Sequence, residues 1–297
     1  ESRLAEAYGS LMDWAPVEDV EIRLHIGEDG KSQILCRKNG KELKSVPSRL
    51  GKKPYVLEVK EAHKKLKDQY SRTREMMEEA MEHGTVFSAA EVAQLFGNPV
   101  VRAVLKSLVF VQGEPAKGDM SPTVFGFVRM QEGGPGEQEG ISLTAWDGHL
   151  SALPPEGRLR IAHPLDLYRS GQWHEYQKYL FSHGIRQPFK QVFRELYVKL
   201  PEEAGQRYSR MFAGNQIQPK KTVGCLRGRR WVADFEEGLQ KIYYKENIIA
   251  RIYALADWFS PSDVEAPTLE WVEFSDRKTF QPLTIGQVPE LIYSEVM

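Results

Sequence analysis

Apolar and polar positions alternate along Val20–Ile26. Val20, Ile22, Leu24 and Ile26 fall on one side, and Glu21, Arg23 and His25 on the other, which is the period of a half-buried strand. Glu28-Asp29-Gly30 supplies a turn, Ser32–Arg37 the return strand of a hairpin, and Asn39-Gly40 a second turn. Leu43–Pro54 reads as a loop holding two prolines. From Tyr55 to His83 the period changes. Val56, Val59, His63, Leu66, Tyr70, Thr73, Met77 and Ala80 recur at spacings of three and four, which predicts one long helix ended by Gly84. The basic cluster over Lys60–Lys67 lies on the charged face of that helix. Ser88 with Glu91 forms a capping box for a short helix through Phe96, and Asn98-Pro99 opens another over Val100–Val109.

Beyond Gly113 the chain favours strands. Val124–Met130 and Ile141–Trp146 read as a pair around the Gly-rich, acidic loop Gln131–Gly140, and Leu159–Ala162 as a short strand. Ser170 is placed to cap a helix over Gln172–Ser182, with Trp173, Tyr176, Tyr179 and Leu180 on one side. Val192–Leu200 reads as strand and Glu202–Phe212 as helix. Leu239–Tyr244 and Ile248–Phe259 are almost continuously apolar, so period alone fits a hairpin or a helix. Their β-branched and aromatic content favours strands, with Thr268–Phe274 as a partner. The sum is a mixed α+β fold: a helix-rich lobe with an N-terminal hairpin over residues 1–118, and a strand-rich lobe over residues 119–297.

Composition narrows the class. A chain of 297 residues, 41% apolar and 27% charged, is long enough for about two ordinary globular domains. Its net charge of −1 draws it to no polyanion or anionic membrane as a whole, so any such binding needs a local patch. Cys36 and Cys225 are far apart and read as unpaired thiols of a reducing cytoplasm. No apolar run approaches the roughly 20 residues of a bilayer span, since Arg102 and Lys106 break Val100–Val111 and Arg251 and Asp257 break Ile248–Phe259. Glu1–Tyr8 is charged from its start, unlike a signal peptide, and the expected location is cytoplasmic, with no membrane partner.

Several segments carry a resemblance. They are Ala162–Leu167 with its His-Pro pair, Trp173, Gln187-Pro188-Phe189 with Arg194–Tyr197, Arg230-Trp231, Leu255–Pro261, Pro267–Glu270 and Ser294–Met297. In this order they resemble the C-terminal domain of bacterial molybdate-metabolism-regulator-like (MolR-like) proteins, from about Glu61 and most strongly from His163 to Met297. The resemblance implies a domain of unknown function within a large multi-segment protein, some of whose relatives carry a small domain named for Trp-Gly-Arg. It supplies no catalytic residues. It also implies a continuation beyond Met297, against which Ile292 and Val296 are expected to be buried.

Candidate chemistry is sparse. None of the histidines (25, 63, 83, 149, 163, 174 and 183) stands at metal-ligand spacing, so neither metal nor cofactor is expected, with convergence of His163, His174 and His183 as the one exception to watch. His163 with Asp166 is the weak catalytic candidate, because imidazole transfers protons near neutral pH. Its alternative is a strand end followed by a turn that Asp166 bonds locally. Arg194 and Glu195 are adjacent, so in a strand they face opposite ways. Cys225 lies near Arg227, Arg229 and Arg230, which favour a thiolate, yet a small apolar side chain suits the same place. Lys220, Lys221, Arg227, Arg229 and Arg230, with Trp231 beside them, are the candidate anion-binding set, countered by Asp234, Glu236 and Glu237. The leading expectation is a regulatory or interaction domain that meets other segments of its parent protein or a protein partner. An enzyme built on His163, and a nucleic-acid or nucleotide binder built on Lys220–Trp231, are the alternatives. A flat apolar patch favours the protein partner, and a basic face with exposed aromatics favours nucleic acid.

Overall fold

The structure is a computed structural model that describes residues 8–113, 124–131, 140–234, 238–261 and 266–297. It is mixed α+β, with three antiparallel sheets, and divides into two compact units, Glu1–Glu195 and Leu196–Met297. The composition shift near residue 118 falls inside the first unit, because β6 (Val109–Gln112) and β7 (Phe125–Gln131) on either side of it pair directly. The acidic loop expected over Gln131–Gly140 lies outside the described residues apart from its two ends.

The first unit has two sheets joined by one helix. β1 (Ala15–Val17), β2 (Val20–Ile26), β3 (Ser32–Lys38) and β4 (Lys41–Leu43) form a meander in chain order. The second sheet has the order β5-β10-β6-β7-β8-β9, with β5 (Val86–Ser88), β8 (Gly140–Thr144), β9 (Leu150–Leu153) and β10 (Arg158–Ile161). Helix α1 (Pro54–Glu82) is long because it serves both sheets. Val56, Val59, Ala62 and Leu66 enter the core of the meander, while Met77, Ala80 and Met81 enter that of the six-stranded sheet. Ser88 and Glu91 make the capping box of α2 (Ala89–Phe96), and the Asn98 side chain caps α3 (Pro99–Leu105). Helix α3 is shorter than expected, because Val109 already starts the buried strand β6.

The six-stranded sheet is covered on both faces, as its nearly unbroken apolar strands require. Phe110, Leu159 and Ile161 face the α1 side, and Val109, Val111, Phe125 and Phe127 face α4 (Pro164–Arg169) and α5 (Trp173–Ser182). The strand expected over Val192–Leu200 is instead irregular. Just before it, the Gln191 side-chain amide bonds the N–H and carbonyl of Val109 at 2.9 and 2.7 Å and the Ala162 carbonyl at 2.8 Å, and so satisfies main-chain groups at the end of the interior β6–β10 pair.

The second unit is one five-stranded sheet of order β11-β15-β14-β13-β12: β11 (Tyr208–Ser209), β12 (Val232–Asp234), β13 (Gly238–Tyr243), β14 (Ile248–Ala254) and β15 (Leu269–Asp276). Strands β13 and β14 settle the hairpin-or-helix question as a hairpin, turning at Asn247 with φ 59°. The helix expected over Glu202–Phe212 is a short 3-10 turn, Pro201–Glu203, followed by β11. Glu203 is buried, and accepts from Tyr293 at 3.1 Å, which ties this segment to α7 (Glu290–Val296) rather than leaving it to coil on itself. Burial, opposed by the Ser209 hydrogen bond, raises the Tyr293 phenol pKa. Ile292 and Val296 are buried in this unit's own core with Leu239, Val272 and Phe274. Helix α6 (Pro219–Arg227) contributes Val223 to the same core.

Candidate functional site

His163 and Asp166 do come together, inside a buried polar node. His163 is the N-cap of α4, and its Nδ1 accepts the Leu165 N–H at 3.1 Å. Asp166 closes the capping box on the His163 N–H at 2.9 Å and receives the Arg160 fork, with one arm at 2.7 Å. Arg160 and His163 are fully buried and Asp166 is 6% exposed. A buried guanidinium needs such a paired carboxylate, because desolvation of either charge alone costs several kcal/mol, about 3–5 by comparison with other broken buried pairs. The Nδ1 lone pair and the carboxylate of the pair are therefore engaged in holding α4 against β10.

Arg194 is buried and forks onto α1, to Glu78 at 2.7 Å and Glu82 at 2.9 Å, while Glu195 meets Lys190 at 3.0 Å. His174 and His183 are exposed on and just after α5, and His183 stacks on Tyr179 at 4.2 Å, so neither joins the buried His163. Among the described residues, no group of three or more His, Cys, Asp or Glu is arranged to hold a metal ion.

The basic run is split by its backbone. Lys220, Lys221, Arg227, Arg229 and Arg230 are all exposed, with Cys225 between them on α6. Arg230 adopts φ 64°, and the Trp231 N–H returns to the Leu226 carbonyl at 3.1 Å. That turn sends Trp231 into the core, 3% exposed, so the ring expected to stack beside the cations is not presented. Glu236 and Glu237 lie outside the described residues.

Two exposed aromatics of the second unit, Tyr208 and Tyr253, stand on the sheet face opposite the core. Cross-strand register places Val232, Gln240, Arg251, Glu273 and Tyr208 in one row over all five strands. Residues directly opposite in a ladder share a face, so these side chains form a continuous surface. In the next row Tyr253 lies parallel to Trp271, rings 4.1 Å apart at 4°, and Tyr208 leans on the same indole at 5.2 Å. The Trp271 Nε1–H donates to Glu273 at 3.2 Å, and Arg251 stands 4.0 Å from Glu273. Tyr208 and Tyr253 are 40% and 42% exposed, large values for paired strand aromatics.

A cavity of about 360 Å³ adjoins the stack, lined by Asp234, Gly238, Tyr253, Leu255, Asp257 and Trp258 with Arg251 and Glu273. Gly238, at φ +75°, leaves its place in the face without a side chain, and an added Cβ would meet the Trp258 ring at 3.4 Å. The lining holds three carboxylates against one guanidinium, beside the Tyr253 ring. Such a recess suits a cation with a flat or alkyl stem, since an aromatic face attracts a cation by about 0.5–2 kcal/mol.

Tyr208, Arg251, Tyr253, Trp271 and Glu273 were not among the sequence candidates. A signal exists in Leu269–Asp276, where Trp271 and Glu273 alternate with the buried Val272 and Phe274. The partners Tyr208 and Tyr253 come from distant segments, which only the register unites. A family model described as a domain of unknown function (DUF4132) matches residues 40–231, well over half of the chain. No curated protein and no solved structure matches it significantly.

Proposed function

We propose that this chain, which belongs to the DUF4132 family of unknown function, is an interaction module of a bacterial, cytoplasmic MolR-like protein, and that it binds a basic segment of a separate protein. The MolR-like placement is supported by the order of the motifs from His163 to Met297. The observation that carries the binding reading is the open sheet face of the second unit, where the exposed Tyr208 and Tyr253 flank the half-buried Trp271 beside a cavity rich in carboxylates. Tyr, Trp and Arg are the residue types that dominate binding energy at protein interfaces. The local excess of acid selects lysine or arginine in the partner. A catalytic role for His163 has less support, because its ring nitrogen Nδ1 and the Asp166 carboxylate are occupied in capping α4.

The test is fluorescence anisotropy with a short labelled Lys/Arg-rich peptide, against an acidic peptide of the same length. The basic peptide is expected to bind saturably and to weaken with salt. Tyr253→Ala is expected to lower affinity several-fold, in line with the loss of about 0.5–2 kcal/mol of cation–π attraction. Glu273→Lys is expected to abolish binding. Equal affinity for both peptides, or no effect of either variant, contradicts the proposal. The exposed cations on and just after α6 favour a second reading, an anionic partner. On that reading a short single-stranded DNA binds at low salt, and Arg229→Ala with Arg230→Ala weakens it and flattens its salt slope.

A further inference from the structure

The first unit contains a cavity of about 560 Å³ between the end of β2 and α3, within the range of about 300–1,000 Å³ typical of small-molecule sites. Its walls combine an apolar floor with a basic rim. Met12, Ile26, Pro99 and Ala103 supply the floor. Arg23, Arg102 and Lys106 stand at the rim with a single carboxylate, Glu28, and with His25.

Arg23 and Lys106 keep their charges at this rim. The Arg23 guanidinium lies over the Trp14 ring, 4.8 Å from its centre, and its Nε has no hydrogen-bond partner. Arg37 covers the same ring at 4.2 Å but is neutralised by Glu21 at 2.7 Å. No carboxylate among the described residues pairs with Arg23. Lys106 donates to the Glu28 carbonyl at 2.6 Å, a bond that orients the ammonium and leaves its full charge.

The cleft is also preformed. Gly30 in the β2–β3 turn seats the hairpin on α3 so closely that an added Cβ would lie 2.4 Å from the Ala103 Cβ. Ala103 is itself part of the cavity wall. A wall fixed before binding spares the ordering cost that a mobile one incurs.

We propose that this cleft binds a small organic anion, a compact apolar body bearing a carboxylate or sulfonate, with the oxyanion on Arg23 and Lys106 and the body on Ile26 and Pro99. The proposal is independent of the sheet face in the second unit, so either can fail alone. The probe is anilinonaphthalene sulfonate, titrated into the full chain by fluorescence and displaced with octanoate. Saturable binding displaced by octanoate, and not by 1-octanol, is expected. Arg23→Met is expected to weaken the probe at least about tenfold, or ~1.4 kcal/mol. Lys106→Met, at an exposed position, provides a second variant that retains the fold. Its expected loss is several-fold. A signal unchanged in the folded variants overturns the proposal, as does displacement by octanol equal to that by octanoate. Binding to anionic phosphatidylglycerol vesicles without binding of free octanoate overturns it too, by assigning the basic rim to a lipid surface.

Discussion

At the scale of single residues, the chemistry suggested by residue type is largely absorbed by structure. Asp166 illustrates this: its carboxylate serves Arg160 and the His163 N–H at once. Asp166→Ala leaves a fully buried guanidinium without its partner, and unfolding in denaturant is expected to show a loss of about 3–5 kcal/mol. The two thiols separate in the same way. Cys225 is exposed and is expected to react rapidly with a thiol reagent, whereas Cys36 is 2% exposed and is expected to react only on unfolding. Burial, with Asp19 nearby, also raises the Cys36 thiol pKa, which lowers its thiolate fraction further. Asp19 itself is held down to about 2, first by Lys38 and then by Arg49. A carboxylate depressed in the folded state contributes stability above its unfolded value, and loses it as pH falls through the folded one. The meander is therefore expected to keep this contribution at pH 5 and to lose it progressively from pH 4 towards 2. Carbon-detected NMR titration of Asp19 would read this directly, and a midpoint near 4 would contradict it.

At the scale of elements, legibility followed locality. The long helix, the Ser88–Glu91 capping box, the Asn98 cap and the β2–β3 hairpin all arise from residues within one or two turns of each other, and each was readable. The segment Val192–Leu200 has strand composition but joins no ladder, and the Gln191 amide just before it is spent on the main chain of Val109 and Ala162. Trp231 reads as a surface aromatic among cations until the Arg230 turn directs it inward. Two substitutions test the packing of these elements. Leu66→Ala removes a fully buried side chain from the α1–meander core and is expected to cost about 2–5 kcal/mol. Gly30→Ala combines a positive φ with a clash against Ala103, and a cost of about 1–3 kcal/mol is expected from the thermal midpoint.

At the scale of the whole molecule, the α+β class was legible while the candidate site was not. The site's rows run across β11, β15, β14, β13 and β12, and those strands come from residues 208 to 276 in an order that sequence alone does not fix. The apolar run from Ile248 onward hid which residues face outward, because Ile249 and Ile252 look alike on either side of Arg251. Among the described residues, no helix is long and apolar enough to cross a membrane. The two units carry cavities of different lining: a basic, apolar cleft in the first and an acidic, aromatic recess in the second. The Trp271 indole sits on that second face with its N–H on Glu273, which makes it a direct reporter among the six tryptophans. Titrating the tryptophan-labelled chain with the Lys/Arg-rich peptide, and following the indole N–H resonances, is the most direct test of the interaction reading. The expected result is a saturable shift of Trp271 while the buried Trp231 stays in place. A Trp271 resonance that does not move at saturating peptide would contradict it.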